Sequence, residues 1–347
     1  MLVKKISVKI FIIILVFIIM NMLGGCSTLY NGAPSDHFDG SCFFSEEPDH
    51  SFGDVVKWFW QMDTVEWPDE IIDDPQPIPV DKVGEGELKI TYINHATTLI
   101  QLDGINILTD PIWSDYAGPI SWFSPHRIRK PGVDFENLPN IDFVLISHDH
   151  YDHLDLPTME RLKKHNPHVL VGLGVKTILE DEGISNVYEM DWWNEYKIDS
   201  AGMKITFVPA IHGSGRNLFG SNRTLWGGFV IESQHGRVYF AGDTGYGDFI
   251  DSLSKRFPDF RLTILPIGNY EKRWFMTNQH MNPDDAVKAH QLLNSYQSVG
   301  MHYATFPEHP EQTIDAHEKD LAAALKKYNM PDSLFRILKF GEGLYVK

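Results

Sequence analysis

From Leu88 onward the chain alternates between short apolar, β-branched runs and clusters of Gly, Asp, Asn and Pro, the pattern of strands punctuated by turns. Leu88–Tyr92, Thr97–Leu102 and Ile105–Thr109 are predicted strands, the last two joined at Asp103-Gly104, a dipeptide suited to a tight hairpin. Phe143–Ser147 (FVLIS) has no polar alternation and predicts a short buried strand. After it, helix Thr158–Lys164, strand Val169–Gly172, helix Val175–Glu182 and strand Asn186–Glu189 are expected in turn. Asp191–Asn194 reads as a turn, followed by strand Met203–Pro209, a hairpin of Thr224–Ser233 with Gly236–Ala241, and strand Leu262–Pro266. A helix runs from about Pro283 to Asn294, with Asn282 as N-cap and Pro283 in the first position. Strand Ser298–His302, helix Ile314–Tyr328 and a last strand near Phe335–Phe340 complete the pattern.

The region before Leu88 reads differently. Lys4, Lys5 and Lys9 precede Ile10–Met20, an apolar run too short for a comfortable membrane span. Leu23-Gly24-Gly25-Cys26 then resembles the bacterial lipoprotein box, which implies cleavage before Cys26 and acyl chains carried by that new N-terminal cysteine. Residues 1–25 are therefore expected to be a signal peptide. Residues 26–82 are read as a tether and N-terminal extension, and 83–347 as the main domain. The expected location is a bacterial cell envelope, outside the cytoplasm and lipid-anchored to a membrane. Leu29, Phe38, Phe43 and Phe44 are candidate points where the tether touches the domain. Phe52–Gln61 suggests a short aromatic helix, and Pro75, Pro77 and Pro79 an extended connector.

Composition narrows the class. The 347 residues are 43% hydrophobic, enough for a sizeable core, and the formal net charge is −17, which argues against nucleic acid as a partner. The one notable basic cluster, Arg127, Arg129 and Lys130, lies in the predicted loop Pro119–Gly132 and is a candidate rim for an anionic head group. There are two cysteines. If Cys26 is acylated, Cys42 has no partner.

The chemistry concentrates directly after FVLIS, where His148, His150, Asp152 and His153 fall within six residues. In extended backbone His148 and His150 point to one side; Asp152 and His153 join them only if the chain turns. Imidazole and carboxylate together suit zinc or another borderline divalent ion. His212, Asp243 and His302 each lie at or just after the end of a predicted strand. Seven ligands suffice for two ions: three histidines around one, an aspartate with two histidines around the other, and an aspartate between them.

At this point the sequence resembles the metallo-β-lactamase superfamily and, more closely, its N-acyl-phosphatidylethanolamine-hydrolysing phospholipase D branch. The likeness rests on Asn94–Thr97, Thr109–Pro111, Ser147–Leu154, Trp192-Trp193, Arg223–Val230, Phe240–Tyr246, Pro266–Met276 and Gln279–Pro283. It implies an α/β fold, an αβ/βα four-layer sandwich with a binuclear metal site at the edge of two sheets. It further implies two Zn²⁺ per chain, one held by His148, His150 and His212, the other by Asp152, His153 and His302, with Asp243 bridging. The expected reaction is phospholipase D hydrolysis of a membrane phospholipid, with Asp152 orienting the nucleophile and His280 a candidate proton donor. Tyr151, Trp226, Tyr246 and Trp274 are candidate walls for an acyl chain, and Arg127 and Arg129 for the anionic group. Hydrolysis of another bond, such as a lactone or cyclic phosphate, and a non-catalytic envelope lipoprotein remain alternatives.

Overall fold

The computed structural model describes residues 28–45, 50–61, 65–122, 124–216, 221–307 and 311–347. Its strands gather into two seven-stranded sheets. β1 (Leu88–Asn94), β2 (Thr97–Leu102), β3 (Ile105–Thr109), β4 (Phe143–Ile146), β5 (His168–Gly172) and β6 (Val187–Met190) lie side by side in chain order in the first sheet. β7 (Glu195–Ile198), β8 (Met203–Val208), β9 (Gly228–Ser233), β10 (Gly236–Phe240), β11 (Phe260–Pro266), β12 (Ser295–Met301) and β13 (Phe335–Arg336) form the second. β14 (Gly343–Val346) returns to pair with β1.

Each sheet begins with antiparallel pairs and continues with parallel ones. β1 to β3 are antiparallel and β3 to β6 parallel; β7 to β10 are antiparallel and β10 to β13 parallel. Parallel neighbours need long crossovers. Helices Leu156–Leu162 and Val175–Asp181 serve the first sheet, and Phe249–Arg256, Pro283–Leu292 and Ala316–Lys327 the second. These pairings make β1, β3 and β4 run one way, and likewise β8, β10, β11 and β12, so their C-terminal ends collect at shared edges.

The pattern of β4 follows from this layering. Phe143 and Leu145 join a core that holds Ile90 of the first sheet and Phe207 and Phe229 of the second, whereas Val144 and Ile146 pack with Met159, Leu162 and Val175 of the helical layer. A strand covered on both faces has no polar positions to alternate with. Helix Pro283–Leu292 is capped as its sequence predicts: Asn282 accepts from the Asp285 amide at 2.8 Å while the Asp285 carboxylate reaches back to Asn282, an arrangement worth about 1 kcal/mol.

Several boundaries differ from expectation. β7 and β14 were not anticipated, because EYKI and GLYV are short edge strands with exposed positions. Helix Phe249–Arg256 also escaped, since it buries only Ile250 and Leu253. The expected strand Thr224–Ser233 starts at Gly228, because Leu225 and Gly227 bond instead to Leu173 and Ser147 of the other sheet.

The N-terminal extension is laid on the domain. Phe38 and Phe43 are each 1% exposed and belong to the main core, while Phe44 remains 42% exposed. Leu29 and Phe43 donate to the Arg223 and Asn222 carbonyls. His37 bonds Asp36 at 2.6 Å and Asp191 at 2.7 Å. Helix Phe52–Gln61 forms as expected. Cys42 is disulfide-bonded, against the expectation that it lacks a partner. The signal peptide and Cys26 lie outside the described residues. Among the described residues no helix is long and apolar enough to cross a membrane.

Candidate metal centre

Beyond β4 the chain does turn. The His153 and Leu154 amides both bond the His150 carbonyl, at 3.1 and 2.8 Å, which folds Asp152 and His153 back toward His148. His148 Nε2 lies 2.8 Å from His150 Nδ1, and His212 Nε2, arriving from the end of β8, lies 3.3 Å from the same atom. A second group closes beside it. His153 Nε2 is 3.2 Å from Asp152 and 3.1 Å from Asp243, and His302 Nε2 is 3.5 and 3.0 Å from the same two carboxylates. Asp243 Oδ2 also stands 3.8 Å from His212 Nε2, between the two groups. All seven expected ligands meet here. Gly242 makes that approach feasible: its φ is +62°, and a Cβ there would sit 2.5 Å from the Ser147 Cβ.

The outer ring nitrogens fix which way the lone pairs point. Asp110, fully buried at the end of β3, accepts from the Ser147 amide at 2.7 Å, from Ser147 Oγ at 2.6 Å and from His153 Nδ1 at 2.7 Å. Having given its proton to Asp110, Ser147 Oγ is left to accept from His148 Nδ1 at 2.9 Å. One carboxylate thus sets the tautomer of two histidines, His153 directly and His148 through a hydroxyl, and turns both Nε2 lone pairs inward. His212 Nδ1 donates to the Gln279 carbonyl at 3.0 Å, with the same result.

Electrostatics agree with a site built for cations. Burial holds His148 well below the usual histidine range and His212 down to about 3, so both are neutral ligands at neutral pH. Burial opposes ionisation of Asp152 and Asp243, yet the neighbouring histidines, His153 foremost, keep both well below the usual carboxylate range. Although burial opposes it, Asp243 and Asp152 push His153 well above the usual histidine range, so the cluster draws in positive charge. Neutral His148 and His212, two ionised buried carboxylates and the partnerless, buried Asp243 Oδ1 fit divalent metal ions.

Two members of the cluster carry no role in the sequence reading. His95, in the left-handed region at φ 47° just after β1, bonds Asp152 Oδ2 through Nε2 at 2.9 Å. Asp110 is the other. Both lie in stretches that carry the family resemblance, Asn94–Thr97 and Thr109–Pro111, and that was the available signal. His280 is brought in, its Nδ1 3.9 Å from Asp243 and its Nε2 3.3 Å from the Asn269 side chain.

A cavity of about 480 Å³ opens over the cluster, lined by ligand residues together with Tyr151, His280, Asn269, Ala117, Pro125, Phe275 and Met276. Tyr151 is there as expected, its hydroxyl bonded to the Arg216 carbonyl. The other candidate walls are not. Trp226 is 1% exposed in the core and bonds the Ala210 carbonyl. Tyr246 packs against the core under Lys288, and Trp274 lies beneath Lys57 while its neighbours Phe275 and Met276 face the cavity. Nor do the rim arginines line it. Arg127 spends its guanidinium on the Ser114, Ile112 and Arg129 carbonyls, and Arg129 pairs with Asp73 and lies over Phe340.

Two facing mixed sheets with outer helices, and a histidine–aspartate cluster where strand ends converge, define a metal-dependent hydrolase of the metallo-β-lactamase fold. Residues 105–303 match the family model described as a beta-lactamase superfamily domain, and the chain belongs to that superfamily. It is 36% identical over 269 residues to N-acyl-phosphatidylethanolamine-hydrolyzing phospholipase D 1 of Caenorhabditis elegans, covering 74% of this chain and 76% of the worm protein. A mitochondrial protein of the same description from Saccharomyces cerevisiae is 33% identical, over 66% of this chain and 50% of its own length. The solved structure of Igni18, a metallo hydrolase from Ignicoccus hospitalis, aligns with a TM-score of 0.56 at 22% identity, over 75% of this chain and 99% of that one.

Proposed function

We propose that this protein is a zinc-dependent phosphodiesterase of phospholipase D type, cleaving N-acyl-phosphatidylethanolamine or a related phospholipid to phosphatidic acid and the head-group alcohol. The observation that carries the reading is the two-part cavity, with the seven-ligand cluster at its buried end and Ala117, Pro125, Phe275 and Met276 along its sides. That division matches a phosphodiester next to hydrocarbon. Two bound zinc ions would supply positive charge against the phosphate and lower the pKa of water to near neutrality.

The protein's own groups do the rest. Asp152 has 17% of its side chain exposed against 2% for Asp243, so Asp152 is the carboxylate that can meet solvent, orient a water and accept its proton. His95 holds it in place. His280, which burial keeps neutral and well below the usual range, faces the cavity; in that state it carries no imidazolium proton, so it can hydrogen-bond the departing oxygen, whose proton comes from solvent. The relatives in worm and yeast, described as hydrolysing N-acyl-phosphatidylethanolamine, support the substrate class.

The chain is further proposed to be a lipoprotein processed before Cys26, which would hold enzyme and substrate on one membrane. This rests on residues 1–26 alone.

Hydrolysis in ¹⁸O-water tests the reaction type. Attack at phosphorus labels phosphatidic acid and leaves the released N-acylethanolamine unlabelled. Labelled free fatty acid as the main product would move the protein to the esterase or lactonase alternative.

A further inference from the structure

The cavity has one wall that belongs to neither sheet. His50, from the N-terminal extension, lines it together with His150, Asp152 and His280. Its ring stacks on Phe275 at 3.9 Å and 12° between planes, and its Nε2 donates to the Phe275 carbonyl at 2.5 Å. Trp58, two turns further on, stacks on the same ring at 5.1 Å and 15°. Lys57 lies 4.1 Å from the Trp274 ring, and Lys272 Nζ donates to the Gln61 carbonyl.

Local chemistry sets where this helix begins. Ser51 Oγ accepts from the Asp54 amide at 3.2 Å while the Asp54 carboxylate accepts from the Ser51 amide at 3.1 Å, a reciprocal cap that places His50 immediately before the first turn. The extension therefore grips the segment 272–276 from outside. Phe275, which lines the cavity, is held by two rings contributed from there.

We propose that His50 and Phe275, the latter backed by Trp58 of helix Phe52–Gln61, form the hydrocarbon-side wall of the substrate site, so that the N-terminal extension selects substrates with a long alkyl or acyl chain. This rests on the phosphodiesterase reading for the reaction, but not for the wall itself. A charged phosphate belongs against the cation-binding cluster. The aromatic surface beside it offers nothing to a phosphate and suits methylene groups. Trp58 does not line the cavity but stacks on Phe275, so its loss unseats that ring, worth about one to two buried methylenes, or roughly tenfold in kcat/KM for a long chain.

The test uses the zinc-loaded full chain and alkyl p-nitrophenyl phosphates with methyl to dodecyl tails. In Trp58→Ala the dodecyl-to-methyl ratio of kcat/KM should fall about tenfold, and Trp58→Phe, which keeps an aromatic ring, should restore most of it. A ratio equal to wild type in Trp58→Ala overturns the wall while leaving the phosphodiesterase reading intact. If wild type cleaves none of the series, that reading falls and the wall is judged by binding. Isothermal titration with lauroyl ethanolamide should then give a Kd about tenfold weaker in Trp58→Ala than in wild type, restored in Trp58→Phe. An unchanged Kd in Trp58→Ala, or no binding to wild type, rejects the wall.

Discussion

Replacing Asp110 by Asn tests how the two halves of the metal cluster are oriented. The carboxylate accepts three hydrogen bonds, from the Ser147 amide, Ser147 Oγ and His153 Nδ1, at 2.7, 2.6 and 2.7 Å, in a fully buried position. An amide keeps one oxygen, which can still take the Ser147 amide. Its NH₂ then confronts the Ser147 hydroxyl and the His153 N–H. Ser147 can adapt by rotating its proton away while still accepting from His148. His153 cannot. It must move its proton to Nε2, the atom that lies 3.1 Å from Asp243 and 3.2 Å from Asp152. The loss is one buried charge-assisted hydrogen bond, about 1.5–3 kcal/mol. Removing the partner of a metal-ligating histidine lowers metal affinity or activity about 10–100-fold, the same energy scale. Zinc content after competition with a chromophoric chelator should therefore fall from about two equivalents toward one, with a modest drop in the urea midpoint. Asp110→Ala, which removes every acceptor, should impair both sites. Two ions retained at wild-type affinity in Asp110→Asn would refute the hold of Asp110 on His153, and both lost to the same extent would refute the adaptation of Ser147.

Asp243→Ala should lower metal content and abolish turnover, because both ion sites lean on that carboxylate; full zinc occupancy with activity would remove the binuclear assignment. The arm that carries Phe38 and Phe43 should be tied down more firmly at low pH. Burial alone would lower the pKa of His37, but Asp191 and Asp36 raise it above 6.5. Its contribution is therefore complete below the ordinary histidine value and is lost as pH rises through the raised one. Limited proteolysis near residue 40 should accelerate between pH 6 and pH 9 in wild type and show no such step in His37→Gln. For the N-terminus, Cys26→Ser should prevent incorporation of labelled fatty acid. Label still entering the substituted chain would exclude the lipoprotein reading.

What could be read from the sequence depended on how local each feature is. The N-cap at Asn282 with Pro283 after it and the apolar run of β4 are written in consecutive residues, so they were legible. The seven candidate ligands were legible as a set because four fall within six residues and the others mark strand ends. Asp110 and His95 gained no role, since an aspartate before a proline and a histidine in a turn are ordinary until the fold brings them to Ser147 and Asp152. The substrate walls failed for a related reason. Residue type says that Trp226 will be enclosed, not whether by substrate or by core, and here its N–H turns to the Ala210 carbonyl. Arg127 misled in the same way, its charge directed inward to backbone carbonyls. Phe38 and Phe43 were legible as points where the extension meets the domain, because aromatic rings stand out in a polar stretch, whereas Phe44 stays exposed.

The two ligand groups draw on both sheets. His148 and His150 follow a strand of the first sheet and His212 one of the second; Asp152 and His153 likewise face Asp243 and His302 across the same divide. An ion in either group is therefore a staple between the two halves of the sandwich. Its binding energy counts toward keeping those halves together, about 4 kcal/mol when free metal stands a thousandfold above the dissociation constant. In that sense the centre fastens the fold as well as catalysing the reaction, and metal starvation should loosen the sandwich along its seam before it unravels either sheet.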